Sequence, residues 1–304
     1  MGKLADEFLA PPFSVLDAKQ PYWQNRLEYW KSEYNLSTLV GRGESRTRNS
    51  YSDTAKEAAN GSETSVFDPV LCELMYRWFM PTKGREIFDP FSGGPERGIV
   101  AADLGYEYFG VDVRQEQVKA NRNARSIHSS KFEYTPKWAV GDSSDLSNVS
   151  VPQSDLIFSC PPYHNLEVYS DRDADISNKN WKEFLDAYSD CIENCHDNLK
   201  DNRFAAFLVQ EIRGSDGQQK SLIPKTIEKF EAAGFAYYNN LVYIPMYGSL
   251  PIRARLLFNS NRKVGRAHQN LLVFYKGDLS KIGENYAKLD FTGENGEQKD
   301  LNSF

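Results

Sequence analysis

Four consecutive residues near the middle of the chain have types that suit a planar ring carrying an amino group, namely Cys160-Pro161-Pro162-Tyr163. They follow the apolar run 154–159, which predicts a buried strand, and open α/β sheets bind ligands at the carboxyl ends of their strands. The two prolines remove two N–H donors, so the carbonyl groups of Cys160 and Pro161 are held outward and can accept hydrogen bonds from an exocyclic amino group. Tyr163 offers a flat face on which a heterocyclic base could stack. A plain loop with a core tyrosine would leave the same pattern.

A glycine turn earlier in the chain has the features of a nucleotide-cofactor site. Gly93 and Gly94 follow an apolar strand and precede a helix predicted to start near Pro95. Without a Cβ the backbone can approach a ligand closely, and the helix start directs free N–H groups and its positive dipole end to the same place. Asp112 ends the next apolar run, at the spacing of an acid that binds ribose hydroxyls. Alone, such a turn is also an ordinary strand-to-helix connection.

Together the two motifs resemble the signatures of the S-adenosylmethionine-dependent DNA amino-methyltransferases, which methylate adenine N6 or cytosine N4. The resemblance covers nearly the whole chain, and residues 11–17 and 262–270 look like a branch of that family common in phages and mobile elements. The cofactor loop comes first and Pro-Pro-Tyr second, the family's gamma arrangement, which implies a target-recognition region C-terminal to the catalytic core. Two positions depart from the family pattern: Pro95 ends the usual Gly-x-Gly, and Cys160 stands where Asp, Asn or Ser is usual.

The resemblance implies S-adenosylmethionine as cofactor and a site drawn from four segments. The turn 65–68 would contact the methionine end, and the acid that ends the third strand would lie near the adenine amino group. The implied cofactor residues are Ser65, Phe67, Asp68, Asp89, Pro90, Phe91, Ser92, Gly93, Gly94, Asp112, Val113, Asp142 and Ser143. A helix cap at Asp68 and an N-cap at Asp142 are structural alternatives that leave the same trace.

The favoured chemistry has no covalent intermediate. The lone pair of an exocyclic amino nitrogen is delocalised into the ring, so acceptors must draw its N–H bonds toward a tetrahedral geometry before it can attack a methyl group. The carbonyl of Cys160 or Pro161 can do this, and Ser159 is a candidate side-chain acceptor because a thiol accepts hydrogen bonds poorly. A second route stays open, in which the Cys160 thiolate attacks pyrimidine C6 and activates C5, as cytosine-C5 methyltransferases do. An RNA or protein methyltransferase, or a non-catalytic binding protein with this fold, also remains open.

The charge distribution points to one nucleic-acid contact region. The net charge of -6 and the pI near 5.4 argue against a protein that coats nucleic acid indiscriminately. Between Pro251 and Lys276, however, the chain has no Asp or Glu. The candidate phosphate contacts there are Arg253, Arg255, Arg262, Lys263, Arg266 and His268. A solvated basic hairpin is the alternative, but the position after the catalytic motifs favours double-stranded DNA as the partner.

The order of predicted elements indicates the fold. Strands alternate with helices, which predicts an α/β fold with a doubly wound, mostly parallel seven-stranded sheet, the Rossmann-like methyltransferase fold, and an antiparallel edge formed by residues 240–245 and 270–275. We expect an N-terminal extension and mobile loop at 1–62 and an S-adenosylmethionine-binding core at 63–245. Residues 246–304 would hold the basic DNA-contact region, the last core strand and a frayed tail. The polar segment 164–180 is predicted to be a mobile lid in which His164 is solvated or a base contact.

The composition is that of a cytosolic enzyme. The chain has 304 residues and four cysteines, with no C-x-x-C pair, no secretory segment and no apolar run long enough to cross a membrane. We therefore expect a cytoplasmic protein of a bacterial host cell. Cys191 and Cys195 lie one helical turn apart beside His196 alone, so we expect two core-facing thiols and no metal site. The target base, the recognition sequence, the oligomeric state and any paired restriction nuclease are left open.

Overall fold

The computed structural model describes residues 10–36, 67–164, 172 and 174–289. The strands are β1 Val15–Asp17, β2 Glu86–Asp89, β3 Glu107–Asp112, β4 Lys137–Val140, β5 Ser154–Ser159, β6 Leu199–Val209, β7 Ala236–Ile244 and β8 Gln269–Lys276. The α-helices are α1 Pro21–Tyr34, α2 Pro69–Phe79, α3 Glu96–Asp103, α4 Gln115–His128, α5 Trp181–Asn198, α6 Leu222–Ala232, α7 Leu250–Asn261 and α8 Ile282–Asn285. Within these ranges, no helix combines the length and the apolar character that a membrane span requires.

All eight strands form one sheet in the order β1-β7-β8-β6-β5-β2-β3-β4. Every neighbouring pair is parallel except the two pairs made by β8, which runs antiparallel to β6 and to β7. The predicted doubly wound, mostly parallel sheet with antiparallel pairing is therefore confirmed. The predicted count of seven strands is one short, because β1 adds to β7 with Val15 opposite Val242. The sheet edge on that side is consequently β1, and the antiparallel strand lies inside the sheet.

Helices cover both faces of the sheet because successive side chains of a strand point to opposite faces. In β5, Phe158 packs with α2 and α3 on one side, whereas Ile157 packs with α5 and α6 on the other. Both side chains are fully buried. This explains why the strand is a continuous apolar run instead of an alternating one. Cys191 and Cys195 of α5 are also buried, as predicted.

The N-terminal residues contribute to the core. Glu73 of α2 is fully buried and accepts hydrogen bonds from Arg26 Nη2 at 2.7 Å and from Trp30 Nε1 at 2.8 Å. Because a buried carboxylate needs such partners, α1 is fixed against α2. Residues 10–36 contain the strand β1 and the helix α1, and they pack in the core although the sequence predicted an extension here. The predicted mobile loop lies, from residue 37 onward, outside the described residues.

Two segments near the C-terminus differ from expectation. The tail after Gly277 was predicted to fray, yet the backbone N–H of Thr82 donates to the Asn285 carbonyl at 2.9 Å. The ring of Tyr286 packs at 5.1 Å from that of Phe204. The tail is therefore part of the fold up to residue 289, and residues beyond it lie outside the described ones. A solvated hairpin was the structural alternative for the basic segment, but the segment contains the helix α7, none of whose residues is buried. The three predicted ranges 1–62, 63–245 and 246–304 all contribute strands to the one sheet.

Candidate active site

A cavity of about 380 Å³ lies at the carboxyl ends of the parallel strands, the edge where open α/β sheets bind ligands. Its wall contains the glycine loop after β2, Asp112 at the end of β3, and Cys160 directly after β5. Gln210 and Pro245 follow β6 and β7 into the same cavity. The fold thus brings together the two motifs that the sequence analysis considered separately. The predicted site residues in the wall are Phe67, Asp68, Pro90, Phe91, Gly93, Gly94, Asp112, Val113, Asp142, Ser143, Cys160, Pro162 and Tyr163.

The glycine loop has the backbone conformation that its residues permit. Gly93 has φ +48°, in the left-handed region that disfavours residues with a Cβ. A Cβ on Gly94 would collide with the carboxylate of Glu96, which is itself buried in the cavity wall at the start of α3. Gly93 therefore supplies the turn, and a side chain at position 94 would require the Glu96 carboxylate to move. The helix predicted from Pro95 is confirmed, beginning at Glu96.

Asp89 and Ser159 lie behind the loop and not in the cavity wall, contrary to expectation. The Ser159 hydroxyl donates to Asp89 Oδ1 at 2.6 Å, while Tyr108 OH and Arg97 Nε donate to Oδ2 at 2.6 and 2.5 Å. Asp89 is fully buried and its two oxygens are occupied by these bonds. Ser159 is itself fully buried and its Oγ accepts from Phe91 N at 3.2 Å, so it is not placed to accept from a substrate in the cavity, and Asp89 supports the loop from inside the protein. Pro161 and Ser92 are likewise absent from the cavity wall.

Arg97 is a site residue that the sequence analysis missed. Its Nη2 donates to the carbonyl oxygens of Phe91 at 2.6 Å and Ser92 at 2.9 Å, and its guanidinium lies 4.4 Å from the centre of the Phe67 ring. Burial lowers the pKa of Arg97, but the neighbouring Asp89 carboxylate outweighs that effect and keeps the pKa high. The side chain is therefore charged and ties the first half of the loop to β2.

A chain of hydrogen bonds runs from Asp112 to the second half of the loop. Arg114 N donates to Asp112 Oδ1 at 2.8 Å, and Arg114 Nη2 donates to Gln117 Oε1 at 3.1 Å. Gln117 Nε2 donates to Asn121 Oδ1 at 2.9 Å, and Asn121 Nδ2 donates to the Gly93 carbonyl at 2.8 Å. Gln117 and Asn121 are buried, so this chain of bonds is shielded from solvent.

Burial governs the acidity of the acid at the end of β3. It raises the pKa of Asp112, and the charge of Arg114 together with the hydrogen bonds from Arg114 and Gly93 opposes the rise. Because Asp112 lies in the cavity wall, a ligand hydroxyl can donate a hydrogen bond to its carboxylate.

Asp142 and Ser143 form the next part of the wall. Asp142 Oδ1 accepts from Ser144 N at 2.8 Å and from Ser144 Oγ at 2.7 Å, so it also caps the turn that follows β4. The Ser143 hydroxyl donates to the Pro90 carbonyl at 2.5 Å and links this turn to the loop after β2. Both the structural and the cofactor interpretation of Asp142 are compatible with this geometry.

Asp68 connects the N-terminal helix to the cavity. Its Oδ1 accepts from Val70 N at 2.8 Å and caps α2, while its Oδ2 accepts from Trp23 Nε1 at 2.9 Å and from Tyr243 OH at 2.6 Å. These donors are uncharged, and burial raises the pKa of Asp68. Ser65, the other polar residue predicted in this turn, lies outside the described residues. The contact with Trp23 was not predictable because α1 and α2 are separated by a long polar segment.

The Cys-Pro-Pro-Tyr corner places its thiol and its phenol together. Cys160 Sγ lies 3.2 Å from Tyr163 OH, which also donates to the Leu208 carbonyl at 3.3 Å and accepts from Gln269 Nε2 at 3.1 Å. Tyr163 is 8% exposed, so most of its ring packs in the core and only a small part faces the cavity. The ring is therefore held rigidly at the cavity wall and is not an open platform.

The described part of the predicted lid is packed against the protein. Asp175 and Ile176 are buried and line the cavity. His164 is also buried, with Nε2 at 3.0 Å from the Lys179 carbonyl and its ring 5.3 Å from that of Trp181. The prediction of a solvated histidine is therefore wrong, because His164 is buried. The base contact stays a prediction. The predicted lid mobility concerns residues 165–171 and 173, which lie outside the described residues.

The basic residues lie between two positions of the cavity wall. Pro245 and Gln269 both line the cavity, and α7 with the loop after it lies between them in sequence. Arg253, Arg255 and Arg262 are exposed, whereas Lys263, Arg266 and His268 are partly buried. Burial lowers the pKa of Arg266, and the nearby Glu211 carboxylate opposes that effect. Of the predicted phosphate contacts, the arginines of the helix are thus the most accessible.

No protein-family model matches the chain, and no curated protein matches its sequence. Solved structures are similar to it at low identity. TrmN from Thermus thermophilus is 17% identical with a TM-score of 0.46, and the match covers 74% of this chain but only 52% of TrmN. A methyltransferase from Pyrococcus furiosus is 16% identical with a TM-score of 0.47, over 84% of this chain and 98% of that one. The magnesium protoporphyrin IX methyltransferase from Synechocystis PCC 6803, with bound SAM, is 10% identical with a TM-score of 0.46, over 84% and 96%. We draw no functional conclusion from likenesses of this strength.

Proposed function

We propose that the chain is an S-adenosylmethionine-dependent methyltransferase that modifies an exocyclic amino group of a DNA base, adenine N6 or cytosine N4. The observation that carries the proposal is that one cavity is lined by both motifs. The glycine loop at the start of α3, the strand-end acid Asp112 and the Cys160 corner all line it. A cofactor bound along the loop would therefore have the acceptor corner within the same enclosed space.

The residues of the wall fit the parts of this cofactor. Asp112 is placed to accept from ribose hydroxyls, and Asp142 from an adenine amino group. Asp68 is a half-buried carboxylate, and its hydrogen-bond donors among the described residues, Trp23, Tyr243 and the α2 backbone, are all neutral. A cationic ligand group nearby would supply the missing positive charge, which favours the methionine end of the cofactor at this position.

The protein's own part in the reaction is positioning. When bound, the cofactor supplies an electrophilic methyl group. The carbonyl of Cys160 can accept one N–H of the target amino group, which draws the nitrogen lone pair out of conjugation and toward the methyl. Since the amino group loses a proton only after it becomes cationic, no strong base is needed in the wall. The rigid Tyr163 ring limits how the base can lie against the corner.

The DNA part of the proposal is supported by charge. The segment 251–276 has no acidic residue, in a chain whose net charge is -6. Its exposed arginines lie on the stretch that joins the wall residues Pro245 and Gln269. Positive charge concentrated beside the cavity of an acidic protein would attract a polyanionic substrate to that place.

The deciding experiment is methyl transfer followed by nucleoside analysis. The protein is incubated with duplex DNA and isotopically labelled S-adenosylmethionine, and the DNA is digested to nucleosides for mass spectrometry. We expect label in N6-methyladenine or N4-methylcytosine, and we expect Cys160→Ser to retain the activity. Label in 5-methylcytosine, lost in Cys160→Ser, would instead make the thiolate the nucleophile. No label in DNA, with cofactor binding intact by calorimetry, would contradict the DNA assignment and favour an RNA or protein substrate.

A further inference from the structure

The segment 246–264 has an unusual surface. Thirteen large apolar side chains are exposed among the described residues, and six of them lie here: Met246, Tyr247, Ile252, Leu256, Phe258 and Val264. The helix α7 within it has 12 residues and buries none of them. Scattered exposed apolar residues need no explanation, but a cluster beside a binding cavity indicates a surface that contacts something.

One face of α7 turns toward the protein. A Cβ on Gly265 would lie 2.6 Å from Ala254 Cβ and 2.9 Å from Leu250 Cδ1, so the loop after the helix packs on these two residues. Leu250, Ala254 and Leu257 are the partly buried residues of the helix. Their spacing of four and three residues marks a single face.

The opposite face carries Ile252, Arg255, Leu256 and Asn259, all of them exposed. Their spacing of i, i+3, i+4 and i+7 aligns them in one stripe along the helix. Ile252 and Leu256 are 70% and 66% exposed. The outer face is therefore a continuous row of two apolar side chains, one guanidinium and one amide.

These side-chain types match what the major groove of DNA presents. Arginine makes paired hydrogen bonds to guanine, asparagine makes them to adenine, and apolar side chains contact the thymine methyl group. A surface that binds phosphates alone would need the cations but not the apolar residues. A helix of 12 residues is about 18 Å long and about 10 to 12 Å across, and a groove about 12 Å wide admits it.

Charge argues against a second copy of the chain as the occupant. A symmetric contact through this face would bring Arg253, Arg255 and Arg262 of both copies together, and the segment 251–276 offers no Asp or Glu to separate them. A polyanion is complementary to the same surface. The position between Pro245 and Gln269 also places the helix beside the cavity that a target base would enter.

We propose that α7 lies in the major groove of duplex DNA and that Arg255 and Asn259 read base edges there, with Ile252 and Leu256 contacting neighbouring bases. This rests on the proposed function for its substrate class. It goes further by assigning sequence preference to one helix face. Arg253, on the flank of that face, contacts phosphate and contributes affinity without preference.

The test is selection of bound duplexes from a randomised library, which needs no methyl transfer. Wild type is compared with Arg255→Ala and Asn259→Ala, and with Arg253→Ala as the matched control on the same exposed helix. We expect wild type to enrich a short sequence. Each of the two face variants should lose about 10- to 100-fold preference at one position and keep binding other duplexes. Arg253→Ala should weaken all duplexes alike and reduce the salt dependence of binding.

Three results would overturn the inference. They are failure of wild type to enrich any sequence, an unchanged preference in Arg255→Ala and Asn259→Ala, or a dimer in light scattering that Leu256→Ser dissociates. Failure of the proposed function looks different, because a protein that enriches a sequence but transfers no methyl group to DNA would retain this helix role and lose the reaction. Circular dichroism checks that the variants are folded, which we expect because the substituted positions are exposed.

Discussion

Two aspartates, the buried Asp155 and the half-buried Asp68, lie at opposite ends of the sheet and differ in what surrounds them. Asp155, near the start of β5, accepts from Lys200 Nζ at 3.0 Å and from Arg203 Nε at 3.1 Å. Asp68, at the cavity, has only neutral donors among the residues that the structure describes. Burial would raise the pKa of Asp155, but its hydrogen-bonded partners hold it well below the ordinary value, whereas burial raises the pKa of Asp68. Among the described residues, the Asp155 carboxylate has cationic partners and the Asp68 carboxylate has none. This difference indicates that a cationic group of a ligand binds beside Asp68.

The largest expected effect concerns stability at the end away from the cavity. Asp155→Asn removes the charge that Lys200 and Arg203 face, and we expect the free energy of unfolding to fall by about 2 to 3 kcal/mol. The effect is below that of a wholly buried pair because Lys200 is partly exposed. Urea denaturation measures it, while calorimetry on the folded variant should give unchanged cofactor affinity. A weakened affinity would mean that the two ends of the sheet are not independent.

The same substitution at the cavity should have the reverse effect. Asp68→Asn keeps an oxygen to cap α2 but removes the charge, so we expect the unfolding free energy to change by less than about 1 kcal/mol. Affinity for S-adenosylmethionine should fall by about 2 kcal/mol, or about 30-fold, because a charge-assisted contact is lost. Calorimetry measures both Asp68→Asn and Asp155→Asn under identical conditions. Unchanged affinity in Asp68→Asn would contradict the role given to this carboxylate.

The pH dependence should separate the two aspartates. The raised pKa of Asp68 and Asp112 means that both carboxylates take up protons above the ordinary range, so cofactor affinity is full at high pH and falls as the pH drops through those raised values. The lowered pKa of Asp155 means that its contribution to stability is present above the unfolded-state value and is lost only as the pH falls below it. As the pH falls through those raised values, and before it reaches the unfolded-state value of Asp155, we therefore expect the cofactor affinity to decline while the melting temperature does not fall, because carboxylates with a raised pKa add stability as they take up protons. A parallel decline of both, or an equal slope in Asp68→Asn, would contradict this.

The smallest effect isolates one hydroxyl. Tyr243→Phe removes the donor that lies 2.6 Å from Asp68 Oδ2, so the carboxylate loses stabilisation and its pKa should rise further. We expect cofactor affinity to fall by about 1 kcal/mol, or about fivefold. Tyr275→Phe is the matched control, because the Tyr275 hydroxyl is buried without a hydrogen-bond partner in the described structure. Tyr275→Phe should leave the cofactor affinity unchanged and leave the stability unchanged or slightly higher. Equal effects of the two changes on affinity would contradict a role for the Tyr243 hydroxyl.

Local patterns were enough to predict the elements of the cavity. Each of three short segments could be interpreted without knowing its neighbours in space. They are the apolar run before Cys160, the turn at Gly93 and the strand that ends at Asp112. Because parallel strands end at one edge, predicting the strands also predicted that these residues would meet. The strand β1 was too short to show any period, so the eighth strand was missed.

What the sequence did not reveal depends on contacts between distant segments. Nothing near Arg97 or Asn121 in the sequence indicates that one holds the carbonyls of Phe91 and Ser92 and the other the carbonyl of Gly93. Asp89 and Ser159 fit the motifs by residue type. Only the pairing of β2 with β5 reveals that the Ser159 hydroxyl donates a hydrogen bond to the Asp89 carboxylate. The helix α7 was missed because a helix with no buried residue has no apolar stripe facing a core.

The position of β8 constrains when the protein can complete its fold. β7 reaches the rest of the sheet only through β8, and β1 reaches it only through β7. During synthesis, β6 therefore keeps an unpaired edge until residues 269–276 leave the ribosome. β1 can join the sheet only after β7 and β8 have been made. We expect chains truncated before residue 269 to be aggregation-prone. The pairing of β1 into the sheet is thus a late step between segments far apart in the sequence.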